Sequence, residues 1–317
     1  MNGIINIDKP KGFTSQDALR KIKNILYSYG VREKIGHTGT LDPIATGLLT
    51  VCIGKATRII EYMGADIKTY VCTMKLGKKS DTLDATGEIL FEKDFSNVSY
   101  EDINKAFSEY KGIVEQIPPK YSALKYKGKP LYEYARKGID IDIEIKKRKV
   151  FIRDIEILNI DLSKGEIKFK VSCSKGTYVR TISDDIGNQL GCGAIMTELR
   201  RISSGAFSID DAFTIEDIES INLKNLTSLF TLPEEALVNL GKINIMDQFL
   251  NKFINGVSGE SDDYTVIKEP KTEFPFKVDY EVNSYMIYDK GEFIGIGEID
   301  NNKRLVVKKV IKGYENI

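Results

Sequence analysis

Two short stretches of this 317-residue chain combine residue types able to carry chemistry. The first, Gly36-His37-Thr38-Gly39-Thr40-Leu41-Asp42-Pro43, places an aspartate five residues after the chain's only histidine. Its two glycines permit tight backbone turns. The proline pushes Asp42 toward an extended conformation. A carboxylate held in such a loop can act as a base or a nucleophile, whereas a lone Asp-Pro usually just starts a turn. The second stretch, Ser174-Lys175-Gly176-Thr177-Tyr178-Val179-Arg180, runs from a strand end into a predicted helix. An arginine at a helix start opposes the helix dipole and calls for a nearby anion. Asp42 and Asp84 are the candidate partners. The bland alternative is a surface ion pair worth about 0–1 kcal/mol.

Little other chemistry is available. One histidine is too few for a His-based metal cage, and any catalytic triad would have to use His37. Cys52, Cys72, Cys173 and Cys192 form no CxxC pair and read as reduced, buried thiols. Gly54-Lys55 is followed by Ala56, so the P-loop pattern fails, and no GxGxxG follows a strand. No apolar run approaches the ~18 residues of a membrane span. The start, MNGIINIDKPKG, lacks a signal peptide's pattern, which places the expected site of action in the cytoplasm.

The charge is informative only when divided. Lys and Arg number 46, as do Asp and Glu, so the formal net charge is zero. Residues 1–60 nevertheless hold nine basic and four acidic residues, net +5, and residues 118–149 hold ten and four, net +6. Acidic excess sits at 61–117, net −4, and at 210–238, net −6. The 118–149 segment interleaves its cations with Tyr121, Tyr126, Tyr132 and Tyr134. Cations neutralise phosphates and aromatic faces stack on unpaired bases, so this composition points to RNA.

The elements that must position these residues follow from periodicity. GIINIDKP reads as a strand stopping at Pro10. Thr14 caps a helix with Asp17 at its third position; Ala18, Ile22, Ile25, Leu26 and Tyr29 share one face, and Gly30 ends it. LLTVCIG is a buried strand and ATRIIEYM a short helix. TYVCTMKLG and ATGEILFEK are expected to be neighbouring strands joined by the polar KKSDTLD. Ser99 and Asp102 cap a second helix. KVFIRDIEILNIDL and EIKFKVSCS form a hairpin about Ser163-Lys164-Gly165. Residues 178–190 are helical, and MTELRRISSGAFSI is a further strand. From about residue 240 a short helix is followed by YMIYDKGEFIGIGEID and KRLVVKKVI as strands. Frequent hairpins predict an α+β fold with a mostly antiparallel mixed sheet flanked by helices, followed by a small β-rich domain. TLDPIATG at 40–47 is echoed by TLDATG at 82–87, which common turn chemistry explains.

Taken together, these motifs resemble the bacterial TruB-type tRNA pseudouridine-55 synthases. The matching stretches are IDKPKGFTS (7–15), GHTGTLDPIATGLL (36–49), TYVCTMKLGKKSDTLDATG (69–87), QIPPKYSALKYKGKPLYEYARKG (116–138), CSKGTYVRTI (173–182) and the LRR of 199–201. The C-terminal part, with KGEFIGIGEID, is more weakly similar to the family's small PUA domain. The resemblance implies a pseudouridine synthase domain over 1–238, with a thumb-like RNA-binding insertion at about 118–149, and a PUA-like RNA-binding domain over 239–317. It further implies an isomerase that converts uridine 55 in the tRNA T-loop to pseudouridine by base flipping. Such an enzyme needs no metal or organic cofactor, no membrane and no obligatory protein partner; a tRNA-folding chaperone role is compatible with it.

By that resemblance Asp42 is the essential aspartate, acting at C1′ as nucleophile or as base in a glycal route. Arg180 would keep it ionised and oriented. Tyr70 stacks on the flipped base and serves in proton removal from C5. Tyr178 and Leu199 line the pocket, and His37 contacts the RNA loop. Asp84 pairs with Arg180 or lines the pocket, and Lys9 contacts the active-site loop or a phosphate. Three other readings compete: the guide-RNA-dependent dyskerin branch, a non-catalytic RNA-binding protein or chaperone, and a nucleotide-dependent enzyme. The long insertion and the lack of basic terminal extensions oppose the first. Intact Asp42, Tyr70 and Arg180 oppose the second, and the failed P-loop opposes the third.

Overall fold

The computed structural model describes residues 1–65, 67–139, 141–142, 147–271 and 283–311. Residues 140 and 143–146 of the expected insertion, and 272–282 and 312–317 of the expected C-terminal domain, lie outside the described residues. The chain forms two compact units. Met1–Pro43, Gly47–Asp66 and Ser203–Ile317 make the first, and Ile44–Thr46 with Ile67–Ile202 make the second.

The first unit opens with β1 (Gly3–Lys9), α1 (Ser15–Ser28), β2 (Ile35–His37) and β3 (Thr46–Ile53). The predicted cap of α1 is present. Thr14 Oγ1 accepts from the Asp17 amide at 3.0 Å, and the Thr14 amide donates to the Asp17 carboxylate at 3.1 Å. Each bond satisfies an amide that a helix start leaves without a partner. Ala18, Ile22, Ile25 and Leu26 are buried, as their spacing predicts. β1 and β2 both pair antiparallel with β3, which sets His37 opposite Val51. The predicted short helix after β3 is a 3-10 helix, Gly54–Ala65.

The second unit contains β4 (Lys68–Leu76), β5 (Lys78–Ser80), β6 (Ile89–Glu92), α2 (Tyr100–Glu109), β7 (Gly112–Gln116), β8 (Lys125–Tyr126), β9 (Lys129–Pro130) and α3 (Leu131–Arg136). β10 (Arg148–Asp161), β11 (Glu166–Cys173), α4 (Val179–Gln189) and β12 (Ala194–Ser204) complete it. Five strands lie in the order β12-β4-β11-β10-β7. Along β4, Lys68, Tyr70, Cys72, Met74 and Leu76 are buried while the residues between them are half-exposed, the period-2 pattern of a strand with one covered face. One expectation is corrected. ATGEILFEK does not lie beside TYVCTMKLG; its strand β6 pairs with β5, drawn from the stretch read as a mere connection. Gly77, at φ 78°, turns the chain out of β4, and β11 and β12 already flank β4.

The chain then returns to the first unit with β13 (Phe207–Ser208), α5 (Ile215–Ser220), β14 (Gly241–Ile245), α6 (Leu250–Ile254), β15 (Tyr264–Lys268), β16 (Ser284–Asp289), β17 (Glu292–Ile299) and β18 (Leu305–Val310). β14 to β18 form one sheet in the order β15-β14-β16-β17-β18, antiparallel except for the parallel β14–β16 pair. Phe249 and Phe253 pack against Ile243, Ile287 and Ile294 in one cluster of this sheet. Met286, Phe293, Ile296 and Ile311 join Ile4, Leu48, Cys52 and Ile59 in another, so the C-terminal strands share a core with the N-terminal ones. The fold is α+β, with mostly antiparallel sheets and a β-rich C-terminal part. All four cysteines are free and buried.

Candidate active site

The first unit holds Asp42 in a braced loop. The half-exposed aspartate follows Leu41, which is 2% exposed. Ser15, on the first turn of α1, grips the Leu41 peptide from both sides: its Oγ accepts from the Leu41 amide at 2.8 Å and donates to the Leu41 carbonyl at 3.1 Å. On the other flank the Gly12 amide donates to the Pro43 carbonyl at 2.8 Å. The carboxylate therefore projects from a backbone fixed before and after it, a condition for placing it reproducibly on a substrate atom. Ser15 was not singled out from its sequence: it closes the matching stretch IDKPKGFTS, but a serine just inside a helix cap is unremarkable by type.

Lys9 ends β1 and is fully buried. Its Nζ donates to the carbonyls of Pro10 at 2.9 Å and Phe13 at 2.6 Å, which braces the turn that carries Gly12. His37 ends β2, half-buried.

The second unit holds Tyr70, Asp84, Tyr178, Arg180 and Leu199. Tyr70 lies on the buried face of β4, opposite Val171. Leu199 is 8% exposed on β12, and its carbonyl accepts from Thr46 Oγ1 at 3.5 Å. Tyr178 is the N-cap residue of α4, and Arg180 is that helix's second residue. Of the two candidate anions for this arginine, Asp84 lies beside it. Arg180 Nη1 lies 3.4 Å from Asp84 Oδ2, both side chains being 5% exposed. The same guanidinium donates to the carbonyls of Thr82 at 3.0 Å and Tyr121 at 3.1 Å.

Asp84 is itself fixed. Its Oδ1 accepts from the Thr86 amide at 2.9 Å, the Thr86 hydroxyl at 2.5 Å and the Thr82 hydroxyl at 2.8 Å. That is an Asx turn with extra threonine support. Leu83 adopts φ 64° ahead of it. Gly87 closes the turn where a Cβ would collide with Asp81 Oδ1 and Thr82 Oγ1. The TLDATG echo is thus turn chemistry that presents a carboxylate to Arg180.

α4 is anchored along its length as well. Lys79 Nζ donates to Asp184 at 2.8 and 3.0 Å, and Asn188 donates to the same carboxylate at 3.0 Å. Tyr110 donates to Asp185 Oδ2 at 2.7 Å. Burial pushes the Asp185 carboxyl above the usual carboxylate range, and neighbouring Asp184 adds to the shift. Among the described residues, no group of three or more His, Cys, Asp or Glu is arranged to hold a metal ion.

The insertion is a hairpin followed by a short helix. Lys127 and Gly128 have φ of 46° and 82°, the two positive values of a type I′ turn between β8 and β9. Lys125, Lys127 and Lys129 are exposed. The tyrosines divide. Tyr126 and Tyr134 pack edge to face with centroids 5.9 Å apart, and Tyr134 donates to the Tyr126 carbonyl at 3.0 Å. Tyr132 stays 36% exposed with the Arg136 guanidinium over its ring. Part of the aromatic density that pointed to base stacking therefore builds the insertion's own small core.

Residues 25–179 match the model of the TruB family pseudouridylate synthase N-terminal domain, and residues 180–238 that of the tRNA pseudouridylate synthase B C-terminal domain. A tRNA pseudouridine synthase B of Clostridium kluyveri is 40% identical over 94% of this chain and 95% of its own. That of Clostridium tetani is 39% identical over 98% of this chain and 100% of its own. Among solved structures, the archaeal box H/ACA sRNP Nop10-Cbf5 complex contains a chain of TM-score 0.71 and 25% identity, covering 99% of this chain and 87% of that one. A Cbf5-Nop10-Gar1 complex gives TM-score 0.70 at 26% identity, over 98% and 84%.

Proposed function

The chain belongs to the TruB family of pseudouridylate synthases, and we propose that it isomerises uridine 55 in the T-loop of tRNA to pseudouridine. The observation that carries this reading is the near end-to-end match to relatives named tRNA pseudouridine synthase B. The guide-dependent branch has the same fold, but those relatives are more similar to this chain in sequence.

The target uracil leaves the T-arm stack at a cost of about a few kcal/mol. The exposed lysines of the 118–149 insertion clamp the RNA backbone, which returns part of that cost. Asp42 then acts at C1′ of the ribose, as nucleophile or as base in a glycal route. The C1′–N1 bond breaks, the uracil turns, and C1′–C5 forms. The proton on C5 departs with Tyr70 in reach of the base it stacks on, and N1 gains a proton. Arg180 supplies positive charge in an orientation that Asp84 and two carbonyls set. Tyr178 and Leu199 line the pocket and exclude water, and His37 contacts the RNA loop. Lys9 donates to two carbonyls of the 10–13 turn and so braces the Gly12 amide that holds Pro43, next to Asp42.

The reaction is redox-neutral and draws on no cofactor in this scheme. Residues 1–238 form the catalytic domain and 239–317 a PUA-like RNA-binding domain; the second family model ends at 238. The same proposal has the enzyme act in the cytoplasm without an obligatory protein partner, with tRNA-folding assistance as a compatible second role. The test is incubation of unmodified tRNA with the pure protein and no additive, followed by pseudouridine mapping. A single T-loop site is expected. No product, or product scattered outside the T-arm, would overturn the assignment.

A further inference from the structure

The insertion leaves the second unit at the end of β7 and re-enters at the start of β10. The residues at those two ends, Gln116 and Arg148, are register partners. Both reach the same segment. Gln116, 1% exposed, accepts from the Tyr178 amide through Oε1 at 2.7 Å and donates to the Tyr178 carbonyl through Nε2 at 3.1 Å. Its side-chain amide thus meets both polar groups of that residue's backbone, as a neighbouring strand would. This takes a donor and an acceptor on one side chain, and the planar amide holds the two at a fixed separation. Glutamate can only accept, and methionine can do neither.

Arg148 donates from Nη2 to the Gly176 carbonyl, and its guanidinium carbon lies 4.9 Å from the centre of the Tyr178 ring. That is cation–π geometry. α4 carries no capping box, in which its third residue's side chain would bond the N-cap amide, and the Tyr178 amide instead finds Gln116 outside the helix. Arg180 follows two residues later.

We propose that Gln116 and Arg148 are positioning residues for the isomerisation, fixing the Tyr178 ring and the start of α4 from the two roots of the RNA-clamping insertion. The proposal rests on the isomerase reading for its catalytic meaning, whereas the clamp itself is measurable without tRNA. The test compares wild type with Gln116→Met, Gln116→Glu and Arg148→Met.

In the first arm, amide hydrogen exchange is followed over residues 176–182 of the free protein. Gln116→Met is expected to speed exchange there by about tenfold or more, because a protected amide loses its acceptor. Gln116→Glu, which retains the acceptor, falls between. In the second arm, single-turnover rates at saturating enzyme are compared with tRNA affinity. A misplacement on the order of 1 Å costs about 100-fold, so Gln116→Met and Arg148→Met should lose ten- to 100-fold in rate with affinity within about twofold. Unchanged exchange at 176–182 overturns the clamp, whatever the enzyme's activity. Altered exchange with a wild-type rate, or a rate loss matched by weaker binding and fast exchange throughout the chain, overturns the positioning role. Failure of the isomerase reading shows separately, as a wild-type protein that makes no product.

Discussion

Arg180 and Asp84 form a buried ion pair at 3.4 Å through one oxygen of Asp84, while the Thr82–Thr86 turn brings three donors to the other. Breaking a buried pair leaves an uncompensated charge, at a cost of about 3–5 kcal/mol. Asp84→Asn retains an acceptor for the Thr86 amide but not the charge. It should lower the melting temperature less than Asp84→Ala, while both lower single-turnover rate tenfold or more. Scanning calorimetry and rapid-quench assays read the two effects. Equal melting losses would show that the turn contributes nothing beyond the charge.

For Asp42 the expectation separates binding from chemistry. Asp42→Asn should bind tRNA with affinity within about twofold of wild type and make no detectable pseudouridine, since the amide neither attacks C1′ nor removes a proton. Ser15→Ala should keep the carboxylate but free the Leu41 peptide, which Ser15 grips at 2.8 and 3.1 Å. A loss of about ten- to 100-fold in rate with unchanged affinity follows from loosened geometry. Filter binding beside a tritium-release assay distinguishes the two; an Asp42→Asn protein with wild-type turnover would end the proposed mechanism.

The contrast between Asp42 and Ser15 marks what was legible in the chain. Asp42, Tyr70 and Arg180 stood out because family motifs fix their types at given spacings. The helix of Ser15 was legible too, because Thr14 and Asp17 carry a local capping pattern. Ser15 itself acts on a residue 26 positions away, and Gln116 on one 62 positions away; neither periodicity nor capping encodes such pairings. The same reason explains β5 and β6. Each is short, and their pairing depends on β11 and β12 already flanking β4, which is a property of the assembled sheet. β14 and β15 were missed because each is only five residues long, so an alternation such as Lys242-Ile243-Asn244-Ile245 is too brief to stand out from the chain around it.

The insertion's lysines make a prediction about salt rather than about rate. Lys125, Lys127 and Lys129 are exposed on and beside the β8–β9 turn. If each neutralises one phosphate, replacing all three by glutamine removes about three counterion releases. The slope of log affinity against log salt then flattens by about 2–3. Tyr132→Ala should add a loss of about 1–3 kcal/mol if its exposed ring stacks on a base. Tyr134→Ala should instead lower stability, because that ring packs on Tyr126. Titrations from low to high salt decide the first point; a triple variant with the wild-type slope removes the insertion from the RNA face.

Asp185 gives the protein a specific pH dependence. Its carboxyl is raised above the ordinary value chiefly by burial, with Asp184 adding and the Tyr110 hydrogen bond opposing. A raised folded-state pKa means that the folded protein holds the proton more tightly than the unfolded chain. The associated stability is therefore fully present below the unfolded value, 3.8, and is lost as pH rises through the folded one. Asp185→Asn stays neutral throughout and still offers an oxygen to the Tyr110 hydroxyl. The variant should therefore match wild type near pH 4 and exceed it in melting temperature by pH 7–8, with the gap opening between. A gap of constant size, or a wild type that gains on the variant as pH rises, would show that the ionised carboxylate stabilises α4 rather than straining it.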